Sequence, residues 1–145
     1  MTEKQKTIKQ SVSLSGTGLH TGQRGTLTFH PAEANHGIKF RRIDVEGKPI
    51  VEARVENVVD TSRGTTIAQN GVRVYTVEHI LASLRGAGVD NVLIDINCEE
   101  PPIQDGSARY MIEALKSAGI VEQDAEREYL RVKKAVTNLL QDQSL

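Results

Sequence analysis

The chain has 145 residues, of which 38% are hydrophobic and 26% charged, proportions that are typical of a folded globular protein. Aromatic residues make up only 3% and the formal net charge is -1, so neither base stacking nor phosphate binding is favoured and no nucleic-acid partner is expected. A single cysteine, Cys98, excludes an intrachain disulfide framework and a cysteine-rich metal site.

The first residues contain lysines but no continuous apolar run of the kind that a secretory signal requires. No stretch of the sequence approaches the ~18–20 apolar residues that a transmembrane helix needs. We therefore expect a cytoplasmic protein without a transmembrane segment.

The first half of the chain is predicted to form short strands. Apolar and polar residues alternate over three stretches: 26–29, 38–41 and 51–56. Turns that contain glycine or proline separate these stretches. Two further strands are predicted at 65–68 and 72–75, because Asn70-Gly71 between them is a strong hairpin signal.

The second half of the chain changes to the period of α-helices. Apolar residues at helical spacing form one stripe on each of two predicted helices: Val77, Ile80, Leu81 and Leu84, then Met111, Ala114, Leu115 and Ala118. Thr76 is predicted to cap the first helix, Gly86 and Gly88 to end it, and Gly119 to end the second. A buried strand is predicted between the helices, at 91–96.

This order of elements predicts the fold class. Strands that precede two helices, with one strand between the helices, predict an α+β fold. We expect a two-layer sandwich in which a mostly antiparallel sheet carries both helices on one face. Residues 129–136 are predicted to be another strand or a connector.

Glu78 and His79 are the most suggestive pair of side chains. They lie in the first turn of the first predicted helix and outside its apolar stripe. The helix N-terminus disfavours a protonated imidazole, and a neutral imidazole is a good metal ligand. An adjacent carboxylate can take a proton from a water molecule. On spacing alone, a polar helix start is the commoner explanation of such a pair.

The other histidines show no HxxH or HExxH spacing, although a catalytic zinc ion takes three protein ligands. His30 and His36 are predicted to lie in a turn-rich loop exposed to solvent. His20 lies in the glycine-rich segment 16–22, which is either a tight turn or a loop whose backbone approaches a ligand closely. That segment lacks the spacing of a nucleotide-binding fingerprint.

Three other polar or sulfur-containing side chains have simple structural explanations. Asp105 and Ser107 are predicted to cap the second helix, with anion binding or orientation of a catalytic neighbour as the rarer alternative. Cys98 is predicted to be a small buried residue.

Six short segments occur in a specific order along the chain. They are GTGLHTG at 16–22, FRRID at 40–44, DT at 60–61, TVEH at 76–79, GVDN at 88–91 and PIQDGS at 102–107. Together they resemble UDP-3-O-acyl-N-acetylglucosamine deacetylase, the zinc-dependent enzyme that commits Gram-negative bacteria to lipid A biosynthesis. The resemblance runs from about residue 5 to the end of the chain.

The resemblance implies roles for particular residues. His79 matches a zinc ligand and Glu78 the general base, so the implied cofactor is Zn²⁺ and the implied activity is that of a zinc metalloamidase. The positions that contact or approach the substrate, UDP-3-O-acyl-N-acetylglucosamine, match four residues: Leu19, His20, Ser62 and Gly64. Leu19 corresponds to a residue near the acyl end. The loop at 62–64 reads Ser-Arg-Gly, where some members have bulkier apolar residues.

The remaining parts of the family's site are expected beyond this chain. They are two further zinc ligands, a histidine and an aspartate, and the lysine and histidine that stabilise the oxyanion and protonate the amine. We therefore expect residues 1–128 to form the N-terminal domain and 129–145 to begin the connection to a C-terminal domain that is absent here. This chain alone is predicted to be inactive.

One alternative from another functional class stays open at this point. The chain is then a truncated or standalone domain that binds a ligand without catalysis. A reading frame that continues into a second α+β domain favours the enzyme, and a stop after Leu145 favours the binding domain. Some relatives are fused to a dehydratase of fatty-acid synthesis.

Overall fold

The structure is a computed structural model that describes residues 3–137. The elements follow in chain order: β1 (Lys4–Ile8), β2 (Val12–Thr17), β3 (Arg24–Pro31), β4 (Ile38–Arg42), β5 (Ile50–Glu52), a 3-10 turn (Val55–Asn57), β6 (Val58–Asp60), β7 (Thr66–Gln69), β8 (Val72–Val74), α1 (Glu78–Ala87), β9 (Val92–Ile96), α2 (Arg109–Ser117) and β10 (Ile120–Glu126). The α+β class predicted from the sequence is confirmed.

The main sheet has five strands in the order β2-β3-β9-β4-β5, and only the β4–β9 pair is parallel. Side chains alternate between its two faces. The inner face carries the buried apolar residues Leu27, Phe29, Phe40, Val51, Ile94 and Ile96. The outer face is polar, with hydroxyl pairs such as Ser13–Thr28 and Ser15–Thr26, whose oxygens share hydrogen bonds of 2.8 Å.

Both helices pack their apolar stripes into the core. Ile80 and Leu84 of α1 and Met111 and Leu115 of α2 are at most 1% exposed and belong to the same cluster as the sheet residues. Both stripes are therefore confirmed. Gly88 and Gly119 follow the helices with φ of 76°, the left-handed conformation that glycine tolerates at a helix end.

The helix starts differ from the prediction. Val77, not Thr76, occupies the N-cap of α1, and it makes no side-chain capping bond. The Thr76 hydroxyl instead donates to Glu100 at 2.8 Å, so the capping prediction is wrong there. Before α2, the Asp105 carboxylate bonds to Ser107, whose hydroxyl accepts a weak 3.3 Å bond from the first amide of the helix. A distant carboxylate thus replaced the helix amides as the partner of Thr76, whereas Ser107 keeps one weak bond to the start of α2.

Two smaller sheets complete the fold. β6, β7 and β8 form an antiparallel sheet, and the turn at Asn70 and Gly71 has φ of 53° and 76°, which confirms the predicted hairpin. β1 pairs with β10, a strand that the sequence analysis missed because its residues are mostly polar and exposed. Residues 129–136 lie outside any strand.

Cys98 is buried as predicted, and burial raises the pKa of its thiol. A Cβ atom at Gly25 would lie 2.1 Å from the Cys98 sulfur, so the glycine makes room for it. Among residues 3–137, no helix is long and apolar enough to cross a membrane.

Candidate functional site

A cavity of about 330 Å³ opens where α1 begins, beside the glycine-rich loop at 16–22. Six of its lining residues come from four separated segments: His20, Ser62, Gly64, Thr76, Glu99 and Glu100. The fold therefore brings three of the predicted substrate-binding residues, His20, Ser62 and Gly64, to one cavity. Leu19 lines a neighbouring open pocket with Ile103 and Tyr110 instead.

Glu78 is the first residue of α1 and is half-buried; it is not itself a lining residue, but it lies against Gly64, which lines the cavity. Its Oε2 accepts a hydrogen bond from the Thr65 amide at 2.9 Å. A Cβ atom at Gly64 would lie 3.0 Å from Oε1, so the glycine lets the backbone run close to the carboxylate. Within residues 3–137, Oε1 accepts no hydrogen bond. The hydrogen bond to Oε2 thus orients the carboxylate, and Oε1 is left available to accept a hydrogen bond or a proton.

His79 follows in the same helical turn and is also half-buried. Its carbonyl accepts the Ser83 hydroxyl at 2.7 Å, which is a bond within the helix. Its imidazole ring makes no hydrogen bond to the described part of the chain. A half-buried imidazole without a protein partner is suited to binding a metal ion.

The donor set fits one part of a zinc site. Across residues 3–137, no group of three or more His, Cys, Asp or Glu side chains lies close enough to hold a metal ion. His79 fits a zinc ligand because neutral imidazole is a common one. A zinc ion bound at His79 would need further ligands from outside the described residues.

Glu100 is a component of the site that the sequence analysis missed. Its side chain is buried, with 1% exposure, and accepts hydrogen bonds from the amides of His20 and Thr21 and from the Thr76 hydroxyl. Burial by itself raises the pKa of this carboxyl, but the hydrogen bonds from Thr21, Thr76 and His20 together outweigh it and hold the pKa below its usual range. Adjacent Glu99 is exposed, and nothing in the sequence distinguishes the two.

A second polar cluster lies on the outer face of the main sheet, and we call Ser11, His30, Arg41 and Asp95 the outer cluster. Ser11 Oγ and His30 Nδ1 share a 2.8 Å hydrogen bond, and His30 Nε2 lies 3.0 Å from Asp95. Arg41 donates twice to Asp95, at 2.6 and 2.8 Å. His30 therefore lies in β3 and is hydrogen-bonded, so the prediction of a solvated loop was wrong. His36 is half-buried and bonds to the Gly37 carbonyl at 3.1 Å.

The fold is an α+β domain in which a carboxylate and an imidazole, the groups that metal-dependent hydrolases use, are adjacent at the start of α1. The chain belongs to the UDP-3-O-acyl N-acetylglycosamine deacetylase family, whose sequence profile matches residues 5–145. The family resemblance found in the sequence is confirmed.

Relatives with this name share about half of their aligned residues with the chain. It is 48% identical to UDP-3-O-acyl-N-acetylglucosamine deacetylase of Saccharophagus degradans, over 92% of this chain and 44% of the relative. The corresponding enzyme of Geotalea uraniireducens is 49% identical over 92% of this chain and 43% of its own. The bifunctional enzyme LpxC/FabZ of Bacteroides thetaiotaomicron is 50% identical, over 92% and 29% respectively. The chain thus spans less than half the length of these relatives.

Proposed function

We propose that this chain supplies the general base and one zinc ligand of an enzyme that removes the N-acetyl group of UDP-3-O-acyl-N-acetylglucosamine in lipid A biosynthesis. The observation that carries this proposal is the geometry of Glu78 and His79, which we call the cleft pair. One Glu78 oxygen is fixed by the Thr65 amide while the other is available, and the adjacent His79 ring has no partner in residues 3–137.

The residues of this chain have distinct tasks in the proposed reaction. His79 holds zinc, which when bound polarises the acetamide carbonyl and lowers the pKa of a water molecule toward ~7. Glu78 Oε1 accepts a proton from the attacking water, while the hydrogen bond to Oε2 keeps the carboxylate in place. Hydrolysis gives acetate and a glucosamine amine.

Substrate binding is assigned to the residues around the cavity. His20, Ser62 and Gly64 line it, within reach of a sugar that occupies it. Leu19 is 56% exposed and lies beside Ile103 and Tyr110, an apolar surface that fits the acyl group. Arg63, between Ser62 and Gly64, also lines the cavity and adds a guanidinium group to a lining that contains the carboxylates of Asp60, Glu99 and Glu100.

The rest of the active site is assigned to a C-terminal domain. The chain covers 43% and 44% of two deacetylase relatives, which leaves room in them for a second unit of similar size. We assign to it the two other zinc ligands and the groups that stabilise the oxyanion and protonate the leaving amine. We assign the complete enzyme to the cytoplasm, and the family resemblance implies a Gram-negative bacterium.

The proposal is tested with the protein encoded by the complete reading frame and, separately, with residues 1–145. Acetate release from UDP-3-O-acyl-N-acetylglucosamine is measured before and after zinc removal by a chelator. We expect zinc-dependent release by the full-length protein and none by residues 1–145, which also bind zinc weakly because they supply one ligand. Absence of release by the zinc-loaded full-length protein contradicts the proposal. Turnover by residues 1–145 contradicts the assignment of a second domain.

A further inference from the structure

Glu100 connects two of the segments of the chain that carry candidate site residues. Its carboxylate accepts the amides of Thr21 at 2.7 Å and His20 at 3.0 and 3.1 Å, all from the loop at 16–22. It also accepts the hydroxyl of Thr76 at 2.8 Å, two residues before α1. A buried carboxylate is unfavourable unless it is hydrogen-bonded, and these donors occupy both oxygens. Glu100 therefore has a holding role and is not itself a free base.

The loop is shaped to receive this carboxylate. A Cβ atom at Gly18 would lie 2.6 Å from Glu100 Oε2 and 2.7 Å from the Thr21 hydroxyl, closer than real Cβ contacts. Gly18 itself is buried. The glycine thus lets the loop backbone approach an internal carboxylate, which explains one glycine of the motif without an external ligand.

The other end of the connection is a strained residue. Thr76 has φ of 52°, in the left-handed region that β-branched residues rarely occupy. Such strain persists where surrounding contacts fix it, and it clusters at functional sites. Val77 caps α1 and Glu78 begins it, so the Thr76 backbone sets the direction in which the helix leaves β8. The bond from Thr76 to Glu100 holds that conformation.

We propose that Glu100 is a positioning residue, which holds the loop at 16–22 and the start of α1 in a fixed relation and so fixes the position of the cleft pair relative to the cavity. This inference rests on the proposed function of Glu78 and His79. In this role Glu100 affects the reaction only through the residues that it holds in place. Its loss would still reduce turnover strongly, because small displacements of the reacting groups do so.

The kinetic test uses a double-mutant cycle in the full-length enzyme: Glu100→Gln, Thr76→Val and the two combined. Each single variant is expected to lower kcat about 10–100-fold, because the geometry of the reacting groups is lost. Thr76→Val should change KM less than about threefold, whereas Glu100→Gln should also raise KM, because it releases the loop that carries Leu19 and His20. The combined variant is expected to lower kcat by less than the product of the two single losses, because both changes alter the contact between Thr76 and Glu100. Thr76→Ser keeps the hydroxyl and should restore kcat to within about twofold of wild type. Independent, multiplicative losses contradict the proposal.

A matched control separates positioning from stability. Asp95 is also a hydrogen-bonded carboxylate, but it is half-buried and lies on the outer face of the sheet. Asp95→Asn is expected to lower the melting temperature while kcat stays within about twofold of wild type. If Glu100→Gln behaves in the same way, Glu100 is only a stabilising residue and the proposal is wrong.

Backbone amide exchange supplies a readout that does not depend on activity. Glu100→Gln and Gly18→Ala are expected to speed exchange in peptides that cover 18–21 and 76–79, and Asp95→Asn is not. Unchanged exchange in both site variants overturns the inference. If Glu100→Gln does not fold, Gly18→Ala and Thr76→Val carry both tests. A wild-type protein that releases no acetate refutes the proposed function, while the exchange data still decide whether Glu100 connects the two segments.

Discussion

A histidine lies next to a carboxylate in both the outer cluster and the cleft pair. The two places differ in how many atoms of those side chains are already hydrogen-bonded. In the outer cluster, His30 bonds to both Ser11 and Asp95, and Asp95 is also held by two bonds from Arg41. In the cleft pair, one Glu78 oxygen and the whole His79 ring have no hydrogen-bonding partner within residues 3–137. The same residue types are thus structural in one place and available for chemistry in the other.

The largest effect is expected when the available base is removed. Glu78→Gln keeps an oxygen for the Thr65 amide, so the fold is retained, but the amide cannot accept the proton from water. In the full-length enzyme, kcat for acetate release should fall about 10²–10⁴-fold. Asp95→Asn, the corresponding change in the outer cluster, should stay within about twofold of wild type. A Glu78→Gln enzyme that keeps wild-type kcat contradicts the difference between the two places.

A smaller effect, on stability, is expected in the outer cluster. Asp95→Asn preserves the shape of the side chain but removes the charge that Arg41 and His30 face. The free energy of unfolding in urea should fall by about 1–2 kcal/mol, since these are charge-assisted but partly exposed bonds. Equal stability of variant and wild type contradicts the structural role of the cluster.

The same carboxylate predicts a pH dependence. Burial raises the pKa of Asp95, but hydrogen bonds from Arg41 and His30 outweigh it and hold the pKa below its usual range. A depressed pKa in the folded state stabilises the protein above the unfolded pKa of about 3.9, and this stabilisation is lost as pH falls through the folded value. Wild type should therefore progressively lose its advantage over Asp95→Asn as the pH falls below about 4. Urea unfolding at several acidic pH values measures the difference in free energy of unfolding between wild type and Asp95→Asn. A difference that does not change with pH contradicts this prediction.

The smallest effect is expected at the edge of the outer cluster. Ser11 is exposed and shares one hydrogen bond with His30. Ser11→Ala should change the free energy of unfolding by less than about 0.5 kcal/mol and leave kcat unaltered. Ser11, His30 and Asp95 have the residue types of a nucleophile, a base and an acid. A loss of hydrolytic activity in Ser11→Ala would therefore show that the outer cluster is a catalytic site.

Local patterns in the sequence predicted much of this domain. Helical spacing placed both apolar stripes correctly, and Asn70-Gly71 placed the hairpin, because these signals depend on neighbours a few residues apart. The cleft pair emerged from the residue types together with the family resemblance, and its zinc and base roles stay predictions.

Contacts between distant residues were beyond the sequence patterns. Glu100 bonds to amides about 80 residues earlier in the chain, and β10 pairs with β1 from the opposite end. Threonine is a common helix-capping residue, yet the hydroxyl of Thr76 donates to the buried Glu100 instead. A local sequence pattern can identify a hydrogen-bond donor. Which acceptor that donor contacts depends on the tertiary fold.

The most direct test of the contrast between the two places is zinc content after dialysis against a weak chelator. Full-length wild type, His79→Ala and His30→Ala are compared under the same conditions. We predict that His30→Ala retains the zinc content of wild type. His79→Ala is predicted to lose more zinc affinity than the roughly 10–100-fold that follows from removing a residue that only hydrogen-bonds to a ligand. Wild-type zinc retention by His79→Ala would contradict the assignment of His79 as a ligand and, with it, the central claim about the cleft pair.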